Sequence, residues 1–205
     1  MKVFIIGSSG FIGNSIYNYL DKIKKYDLIA IPKNKIDLNE EKSSIILSKY
    51  LNKNCIVIMC AGVKKQLGDN LDTFESNLTI INNFCRAISM VPPKRIIFFS
   101  SASVYGEDVC YDKKITEKTS VQPKTYYGIA KYTAERLLEK ICTENKTELV
   151  MLRPPLIYGE NDLSRGYGPT GFTYKVKEND EIILWGNGSE YREFVFIDDV
   201  SKVVH

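Results

Sequence analysis

The sequence predicts an α/β fold, a doubly wound parallel sheet, and three observations support this prediction. Short apolar runs alternate with longer segments of helical periodicity from residue 3 to residue 152. These runs are nearly continuous, as strands buried on both faces of a sheet are. A glycine-rich turn follows the first run directly. Because strands that alternate with helices pair in parallel through right-handed crossovers, we expect one sheet with helices on both faces.

Each predicted element follows from its local pattern. The predicted strands, rich in β-branched or aromatic residues, are Val3 to Ile6, Leu28 to Ile31, Cys55 to Met59, Arg95 to Phe99 and Leu149 to Leu152. The predicted helices are Phe11 to Lys24, Asn39 to Leu51, Leu71 to Met90 and Pro123 to Cys142. After residue 153 closely spaced prolines and glycines break the alternation. We therefore expect a regular domain over residues 1–153 and an irregular region over residues 154–205, packed over the carboxyl ends of the strands.

The composition excludes several classes of protein. A chain with 26% charged and 44% hydrophobic residues is not expected to be disordered. The net charge of +3 and scattered lysines give little support for nucleic-acid binding. The five cysteines lack Cys-x-x-Cys spacing, which indicates reduced core thiols and neither metal ligands nor disulfides. No apolar run reaches the ~18 residues of a membrane span, so we expect a soluble, cytoplasmic protein without a membrane partner.

The turn after the first strand has the pattern of a phosphate-binding site. It reads Gly7-Ser-Ser-Gly10-Phe-Ile-Gly13 and opens the first helix. Gly7 permits a tight turn, Gly10 lets the backbone approach a pyrophosphate, and Gly13 lets the helix lie close to the strand. Free N–H groups at the helix start then face the anion. The alternative is that these glycines only form a turn, but their place directly after the first strand favours the phosphate site.

The end of the second strand leaves the choice of dinucleotide open. Many dehydrogenases hold the adenosine ribose with an acid at this place. Here Ile31 leads into Pro32, Lys33, Asn34 and Lys35, without an acid. Lys33 or Lys35 could contact a 2′-phosphate, which would favour NADP, although surface lysines are usually only solvated. NAD and NADP both stay open.

A tyrosine and a lysine lie one helical turn apart in the fourth predicted helix. The segment Tyr127-Gly-Ile-Ala-Lys131 places a phenol and an ammonium on the same helix face. A free tyrosine titrates near pH ~10, so a base active at neutral pH needs a positive charge beside its anion. Lys131 can supply this charge. An ordinary solvated helix face is the alternative for such a pair taken alone.

Together with the segment 100–106, Ser-Ser-Ala-Ser-Val-Tyr-Gly, these motifs resemble the extended short-chain dehydrogenase/reductases. The resemblance is closest to the nucleotide-sugar epimerase and reductase branch, which includes UDP-glucose 4-epimerase. It runs from residue 1 to the end of the chain, with five motifs in the family's order. It implies a Rossmann-like dinucleotide-binding domain over residues 1–153 and a partial substrate-binding region over residues 154–205.

The resemblance also implies an NAD or NADP cofactor and the residues that bind it. At the pyrophosphate the implied residues are Gly7, Gly10, Phe11, Ile12 and Gly13, and beside the adenine they are Asp37 and Leu38. Along the cofactor they are Cys60, Ala61, Gly62 and Lys64, with Asn77 on the central helix. At the nicotinamide end they are Tyr127 and Lys131 at the ribose, and Pro154 in the stretch Leu152-Arg153-Pro154-Pro155 that closes over the nicotinamide.

The same resemblance implies roles in catalysis. Ser101 would orient a substrate hydroxyl, Tyr127 would transfer its proton, and Lys131 would support Tyr127 and bind ribose. Ser101 and Ser103 are candidate substrate contacts. The segment 190–200 resembles the family's stretch whose arginine grips the sugar nucleotide's diphosphate, which makes Arg192 a further candidate. The planar guanidinium fork suits a diphosphate.

Departures from the family pattern narrow the reaction. Ser101-Ala-Ser103 lacks the acid pair of the 4,6-dehydratases and the glutamate of the decarboxylating branch. What remains is 4-epimerisation or reduction of a keto-sugar, both acting on a nucleoside diphosphate sugar. By the same resemblance we expect a homodimer, formed through the helices Leu71 to Met90 and Pro123 to Cys142.

The length of the chain raises two alternatives. Family members continue past the helix at Asp198-Asp199-Val200, whereas this chain ends at His205, and the remaining part normally completes the substrate pocket. One alternative is therefore a cofactor-binding sensor or scaffold with impaired catalysis. The other is a reductase of non-sugar carbonyls, which would not need Arg192.

Overall fold

The computed structural model describes residues 1–106, 114–162, 168–184, 187 and 191–205. Its main sheet has five parallel strands: β1 Lys2–Ile6, β2 Asp27–Ile31, β3 Ile56–Met59, β4 Arg95–Phe99 and β5 Glu148–Leu152. Their order is β2-β1-β3-β4-β5. The order reverses direction at β1, so the predicted doubly wound parallel sheet of Rossmann type is confirmed. One of the five cysteines, Cys110, and the first residue of the segment 190–200, Glu190, lie outside the described residues.

Helices and a second small sheet complete the described structure. The helices are α1 Phe11–Ile23, α2 Ser43–Ser48, α3 Leu71–Met90, α4 Tyr126–Asn145, α5 Gly168–Glu178 and α6 Ile197–Val203. Two short 3-10 turns cover Lys65–Leu67 and Ala102–Tyr105. Strands β6 Leu156–Tyr158 and β7 Phe194–Phe196 pair in parallel to form the second sheet. Among the described residues, no helix is both long and apolar enough to cross a membrane.

Two core clusters lie on opposite faces of the main sheet. Alternate residues of β1 divide between them, with Phe4 on the face covered by α2, α3 and α4, and Ile5 on the face covered by α1 and α6. Both side chains are almost completely buried. Burial on both faces is therefore confirmed for the central strands. At the edge strand β5, however, Val150 is 41% exposed, because an edge strand is covered less completely than a central one.

Two predicted helices begin too early and also end at different residues, α2 at Ser48 and α4 at Asn145, and polar side chains explain the two later starts. The predicted helix from Asn39 shortens to α2, since Asp37 accepts a hydrogen bond from the Asn39 backbone N–H at 3.0 Å and holds a turn there. The helix predicted from Pro123 begins at Tyr126 instead. Thr125 caps it by accepting a hydrogen bond from the Gly128 N–H at 3.0 Å.

The parallel sheet brings the predicted motifs to one edge. The glycine turn follows β1, the Cys60 loop follows β3, Ser101 follows β4 and Pro154 follows β5. Because carboxyl ends of parallel strands face the same way, these segments share the edge where open α/β sheets bind ligands. Helix α6 packs on the opposite face from α4, and Ser201 and Ser15 of α1 form a hydroxyl–hydroxyl hydrogen bond of 3.0 Å.

Candidate active site

The glycine turn is shaped by close backbone contacts that side chains would prevent. Gly7 has φ of 80°, and a Cβ there would lie 2.8 Å from the Ala61 backbone nitrogen. A Cβ on Gly13 would strike the Gly7 carbonyl oxygen and lie 3.0 Å from the Ser8 Cα. Gly10 is the N-cap of α1, and its N–H donates to the Gly7 carbonyl at 3.0 Å. The packing thus requires Gly7 and Gly13, whereas Gly10 keeps the approach to the helix start open.

No side chain caps the start of α1, which leaves its first N–H groups available to an anion. Phe11 and Ile12 are the first two residues of the helix and are half-buried. Lys64 lies beside them, with Nζ 5.8 Å from the Phe11 ring centroid. Nζ is also 3.9 Å from Oδ1 of Asp162, a buried carboxylate after β6. The structure therefore places Lys64 beside the start of α1, and its contact with a cofactor stays a prediction.

Asn77 ties the loop after β3 to helix α3 with two hydrogen bonds. Its Oδ1 accepts from the Val63 N–H at 2.8 Å, and its Nδ2 donates to the Val63 carbonyl at 3.1 Å. These two hydrogen bonds hold the loop that contains the predicted cofactor-binding residues Cys60, Ala61, Gly62 and Lys64. A Cβ on Gly62 would lie 3.3 Å from Asn77 Oδ1 and 3.6 Å from Lys131 Nζ. The loop, Asn77 and Lys131 consequently meet at one point.

Lys131 is a buried cation at the centre of this site. It is 9% exposed, and Nζ donates to the Phe99 carbonyl at 2.8 Å. Nζ lies 5.1 Å from the ring centroid of Phe98 and 5.7 Å from that of Tyr127. Burial lowers the pKa of Lys131 to about 8, while the negative charge of Glu135, and that of Cys60 wherever its thiol ionises, act in the opposite direction. A lysine in this state is charged at neutral pH yet close to its titration.

The two predicted serines form a compact turn beside helix α4. Ser101 caps the 3-10 turn by accepting from the Ser103 N–H at 3.1 Å, and its hydroxyl donates to Ser103 Oγ at 3.0 Å. The helix comes close because Gly128 lacks a side chain: a Cβ there would lie 2.7 Å from the Ser103 carbonyl oxygen. Tyr127 is half-buried, and its backbone N–H donates to Asp69 Oδ1 at 2.9 Å. Ser101, Tyr127 and Lys131 thus belong to adjoining segments.

The adenosine end of the predicted site is an open cleft of about 870 Å³. Its lining residues include Ser9 of the glycine turn and the loop after β2, with Lys33, Lys35 and Asp37. Lys33 Nζ is 3.4 Å from Asp37 Oδ2. Burial acts to raise the pKa of Asp37, but the Asn39 N–H and the Lys33 charge outweigh it and lower that pKa.

The remaining predicted residues occupy different settings. Asp37 lines the cleft, whereas the Leu38 side chain is 3% exposed and packs in the core. Pro154 is half-buried, and its carbonyl accepts from the Ala102 N–H at 3.0 Å, next to the serine turn. Arg192 is exposed, two residues before the start of β7. Its contact with a diphosphate stays a prediction.

Four of the five cysteines lie within the described residues. Cys55, Cys85 and Cys142 are buried and, like Cys60, are not in disulfides. Burial raises the pKa of Cys60 to about 12, against the charge of Lys131. Such a thiol is neutral and unreactive at neutral pH. In the part of the chain that the structure describes, no group of His, Cys, Asp and Glu side chains is arranged to hold a metal ion.

Sequence reasoning missed a buried ion pair beside the site. Glu135, one turn after Lys131, accepts two hydrogen bonds from Arg153, of 2.8 Å to Nε and 2.6 Å to Nη2. Arg153 Nη1 also donates to Tyr105 Oη at 2.8 Å. The hydrogen bonds to Glu135 raise the pKa of Arg153 above its ordinary value, against burial. The four-residue spacing of Lys131 and Glu135 could have indicated that both lie on one helix face. Nothing in the sequence indicated that Glu135 pairs with Arg153.

Known proteins with similar sequences are nucleotide-sugar enzymes. An uncharacterised UDP-glucose epimerase of Bacillus subtilis is 26% identical across 98% of this chain and 71% of its own length. A putative UDP-glucose 4-epimerase of Methanocaldococcus jannaschii is 24% identical, with the same coverage. The chain thus spans about seven tenths of the length of these relatives.

Solved structures support the same fold. The UDP-glucose 4-epimerase of Thermus thermophilus, solved with NAD, superposes with a TM-score of 0.83 at 23% identity, over 100% of this chain and 73% of that one. The UDP-glucuronic acid 4-epimerase of Bacillus cereus, also solved with NAD, has a TM-score of 0.83 at 22% identity, over 100% and 71%. At these identities the likeness shows the fold alone.

The family assignment comes from a model that covers nearly the whole chain. The model of the NAD dependent epimerase/dehydratase family matches residues 3–205. This match confirms the predicted enzyme class and the predicted nicotinamide dinucleotide cofactor. The chain therefore belongs to the NAD dependent epimerase/dehydratase family and is an enzyme of the extended short-chain dehydrogenase/reductase type.

Proposed function

We propose that this chain is an NAD-dependent nucleotide-sugar 4-epimerase in which Tyr127 is the acid and base. The observation that carries the proposal is the buried Lys131 cation, with Nζ 5.7 Å from the Tyr127 ring centroid, on the helix that adjoins the Ser101 turn. The names of the similar proteins support it, since the relatives and structures described above are UDP-glucose and UDP-glucuronic acid epimerases.

The residues present fit a dinucleotide cofactor. Gly7, Gly10 and Gly13 keep side chains away from the start of α1, where the pyrophosphate would lie against free N–H groups. The cleft lined by Lys33 and Asp37 would take the adenosine. The loop from Cys60 to Lys64, Asn77, Pro154 and Lys131 would border the nicotinamide half. When bound, NAD supplies the acceptor for a hydride from the sugar carbon and returns that hydride to the opposite face.

Tyr127 would handle the proton that accompanies hydride transfer. Its phenolate removes the proton of the sugar hydroxyl as the carbon is oxidised, and its phenol gives the proton back as the carbon is reduced. Ser101 donates to the same oxygen and holds it in place. The keto-sugar must turn between the two transfers to present its other face, while Arg192 would hold the diphosphate.

Lys131 would make this proton transfer feasible at neutral pH. With a pKa of about 8, its ammonium is mostly protonated near pH 7. A positive charge beside a phenol favours the phenolate form. The hydrogen bond from Nζ to the Phe99 carbonyl fixes the ammonium next to the Tyr127 ring. Turnover should therefore fall when the pH rises above the pKa of Lys131.

Substitution of Tyr127 by Phe tests the proposal. We expect turnover of the true substrate, found with a panel of nucleoside diphosphate sugars, to fall about 1,000-fold, with NAD binding by calorimetry largely retained. Tyr126→Phe is a matched control, because Tyr126 is the adjacent residue and is 43% exposed. Its ring centroid lies 5.9 Å from that of Phe74. Full turnover by the Tyr127→Phe protein would refute the role of Tyr127. NAD binding without turnover of any sugar nucleotide would favour the sensor or scaffold.

A 4-ketoreductase is the second candidate. A GDP-L-fucose synthase of Escherichia coli is 20% identical across 98% of this chain and 67% of its own length. Lys33 and Lys35 in the adenosine cleft also suit a 2′-phosphate, which would favour NADPH. The two reactions differ in redox balance. A reductase consumes reduced cofactor in proportion to product, whereas an epimerase interconverts two sugars with no net change in cofactor absorbance.

Arg192→Ala tests the substrate class, and sedimentation tests the assembly. A large loss of affinity for UDP in the Arg192→Ala protein would support sugar nucleotides as substrates, whereas unchanged affinity would favour non-sugar carbonyls.

We also propose a homodimer through α3 and α4, a cytoplasmic location, and a substrate-binding region that begins near residue 154. Sedimentation equilibrium of the purified chain would give the molecular mass in solution, and a monomer across the concentration range would contradict the dimer.

A further inference from the structure

We propose that Glu135 and Arg153 are positioning residues for the reaction, because their buried ion pair joins the helix of Lys131 to the Ser101 turn and the Pro154 loop. The inference rests on the proposed function for its kinetic test. It concerns two residues that contact neither the sugar nor the cofactor in the proposed mechanism. They act through the segments that do.

The ion pair of Glu135 and Arg153, called the clamp below, is held by two hydrogen bonds. Arg153 donates to both oxygens of Glu135, from Nε at 2.8 Å and from Nη2 at 2.6 Å. The Glu135 side chain is 2% exposed and that of Arg153 21%. Nη1 donates to Tyr105 Oη at 2.8 Å, and the guanidinium carbon lies 5.0 Å from the Tyr105 ring centroid. The planar fork therefore fixes orientation as well as distance.

Three catalytic segments meet at this clamp. Glu135 lies one helical turn after Lys131 on α4. Tyr105 ends the 3-10 turn that Ser101 caps. Arg153 precedes Pro154, whose carbonyl accepts from the N–H of Ala102 in the same turn. A shift of the guanidinium would therefore displace the proton-transfer helix, the serine turn and the loop at the nicotinamide end relative to one another.

Stability alone is a weak reason for such a pair. Buried ion pairs are often replaced by apolar residues without loss of stability, because removing two charges from water offsets their attraction. The surface of the same helix provides a contrast. Lys140 and Glu144 form an exposed pair at 3.0 Å, one turn apart, with side chains 76% and 56% exposed. That pair joins no second segment, whereas the clamp joins three.

The clamp also places a negative charge near Lys131. From α4, Glu135 and Tyr127 face the ammonium; from β4 the Phe99 carbonyl accepts its hydrogen bond, and Cys60 approaches from the end of β3. Because burial keeps the Cys60 thiol neutral at neutral pH, Glu135 is the anion that acts there. The Glu135 charge raises the pKa of Lys131, and Glu135 itself is ion-paired with Arg153. Loss of the Glu135 charge should lower that pKa.

Two single variants separate charge from geometry. Glu135→Gln keeps the shape but removes the charge. We expect its turnover number to fall about 100-fold and the alkaline limb of its pH profile to move to lower pH. Arg153→Lys keeps a positive charge but loses the fork, so turnover should fall while the alkaline limb stays in place. Glu144→Gln, from the exposed pair, should leave both quantities unchanged. The Michaelis constant should change less than turnover in each clamp variant.

A double variant distinguishes positioning from folding. Glu135→Leu with Arg153→Met replaces the pair by apolar residues and removes the penalty of a single unpaired charge. If it melts like the wild type but turns over about 100-fold more slowly, positioning is supported. If it regains wild-type turnover and an unchanged pH profile, the pair is only structural and the inference is overturned.

A readout without substrate keeps this test independent of the proposed function. The titration of the Lys131 ammonium can be followed by NMR with labelled lysine, in wild type and in Glu135→Gln. Movement of this titration to lower pH supports the inference, and an unchanged titration contradicts its electrostatic part. A wild type that turns over no sugar nucleotide but shows this shift would refute the proposed function and leave the clamp in place.

Discussion

The two ends of the proposed cofactor site are built in different ways. At the proposed catalytic end, Lys131 is 9% exposed and bonded to the Phe99 carbonyl, while the Glu135 side chain, one helical turn later, is 2% exposed. At the adenosine end, the side chain of Lys33 is 73% exposed and its contact with Asp37 is 3.4 Å long. One end is held by short buried bonds, and the other by a solvated ion pair.

This difference teaches where a substitution has a large effect. Buried, bonded groups lose their full interaction when one partner is removed, whereas exposed pairs are screened by water and salt. The chemistry of the site should therefore be sensitive to single changes, and its preference among dinucleotides should be adjustable. Between the two ends lies the glycine turn, which acts through backbone shape alone.

The largest effect should come from Lys131→Met. Without the ammonium, the Tyr127 phenolate loses its charge partner, and we expect turnover to fall about 1,000-fold. The same change should stabilise the fold near pH 7, because a lysine with an ordinary pKa of 10.5 and a folded pKa of about 8 costs about 3 kcal/mol when charged. Loss of the bond to the Phe99 carbonyl offsets about 1 kcal/mol, so the net gain is about 2 kcal/mol.

The pH dependence of unfolding checks the sign of this effect. Between pH 8 and 10.5 the folded lysine has lost its proton and the unfolded lysine still holds it. The contribution of Lys131 to wild-type stability should therefore rise with pH in this window, whereas the raised thiol pKa values act in the opposite direction. The Lys131→Met protein lacks this gain, so its advantage in denaturant melts should shrink across the window. The raised pKa values of the Cys85 and Cys142 thiols, to which Lys131 does not contribute, act equally in both proteins. An advantage that stays constant with pH would contradict the assigned burial cost.

An intermediate effect should come from the glycine turn. Gly13→Ala forces a Cβ against the Gly7 carbonyl, and we expect a loss of stability of about 1–3 kcal/mol. Gly10→Ala is the matched change, since its Cβ meets only the Gly7 oxygen at 3.3 Å. It should cost about 1 kcal/mol of stability or less but weaken NAD binding, because it narrows the approach to the helix start. Thermal melts and calorimetry measure the two effects; equal stability of the two variants would contradict the packing role of Gly13.

The sequence predicted the site better where signals are local. The strand run before Ser101 and the one-turn spacing of Tyr127 and Lys131 depend on neighbours within a few residues, and the structure brings these segments together. The pairing of Glu135 with Arg153 joins two elements, and no periodicity in the sequence indicates it. The short α2 was missed for a related reason: the bond from Asn39 to Asp37 competes with the helix.

The smallest effect should come from Lys33→Ala at the adenosine cleft. Lys33 carries the positive charge nearest Asp37, and its removal leaves that carboxylate facing the cleft without its partner. A 2′-phosphate would then meet less attraction and more repulsion, so affinity for NADP should fall more than affinity for NAD. Because Lys33 is exposed, we expect a change of at most about 1 kcal/mol in the ratio of the two affinities.

Calorimetry with both cofactors at low and high salt measures this ratio. The shift should be largest at low salt, since screening weakens exposed charges. Lys24→Ala is a close control, because Lys24 has the same 73% exposed side chain and pairs with Asp21 at the far end of α1. An unchanged ratio in Lys33→Ala would mean that this lysine is only solvated. The preference for one dinucleotide would then depend on the backbone shape of the adenosine end and not on the Lys33 charge. The two ends of the site would differ in burial alone.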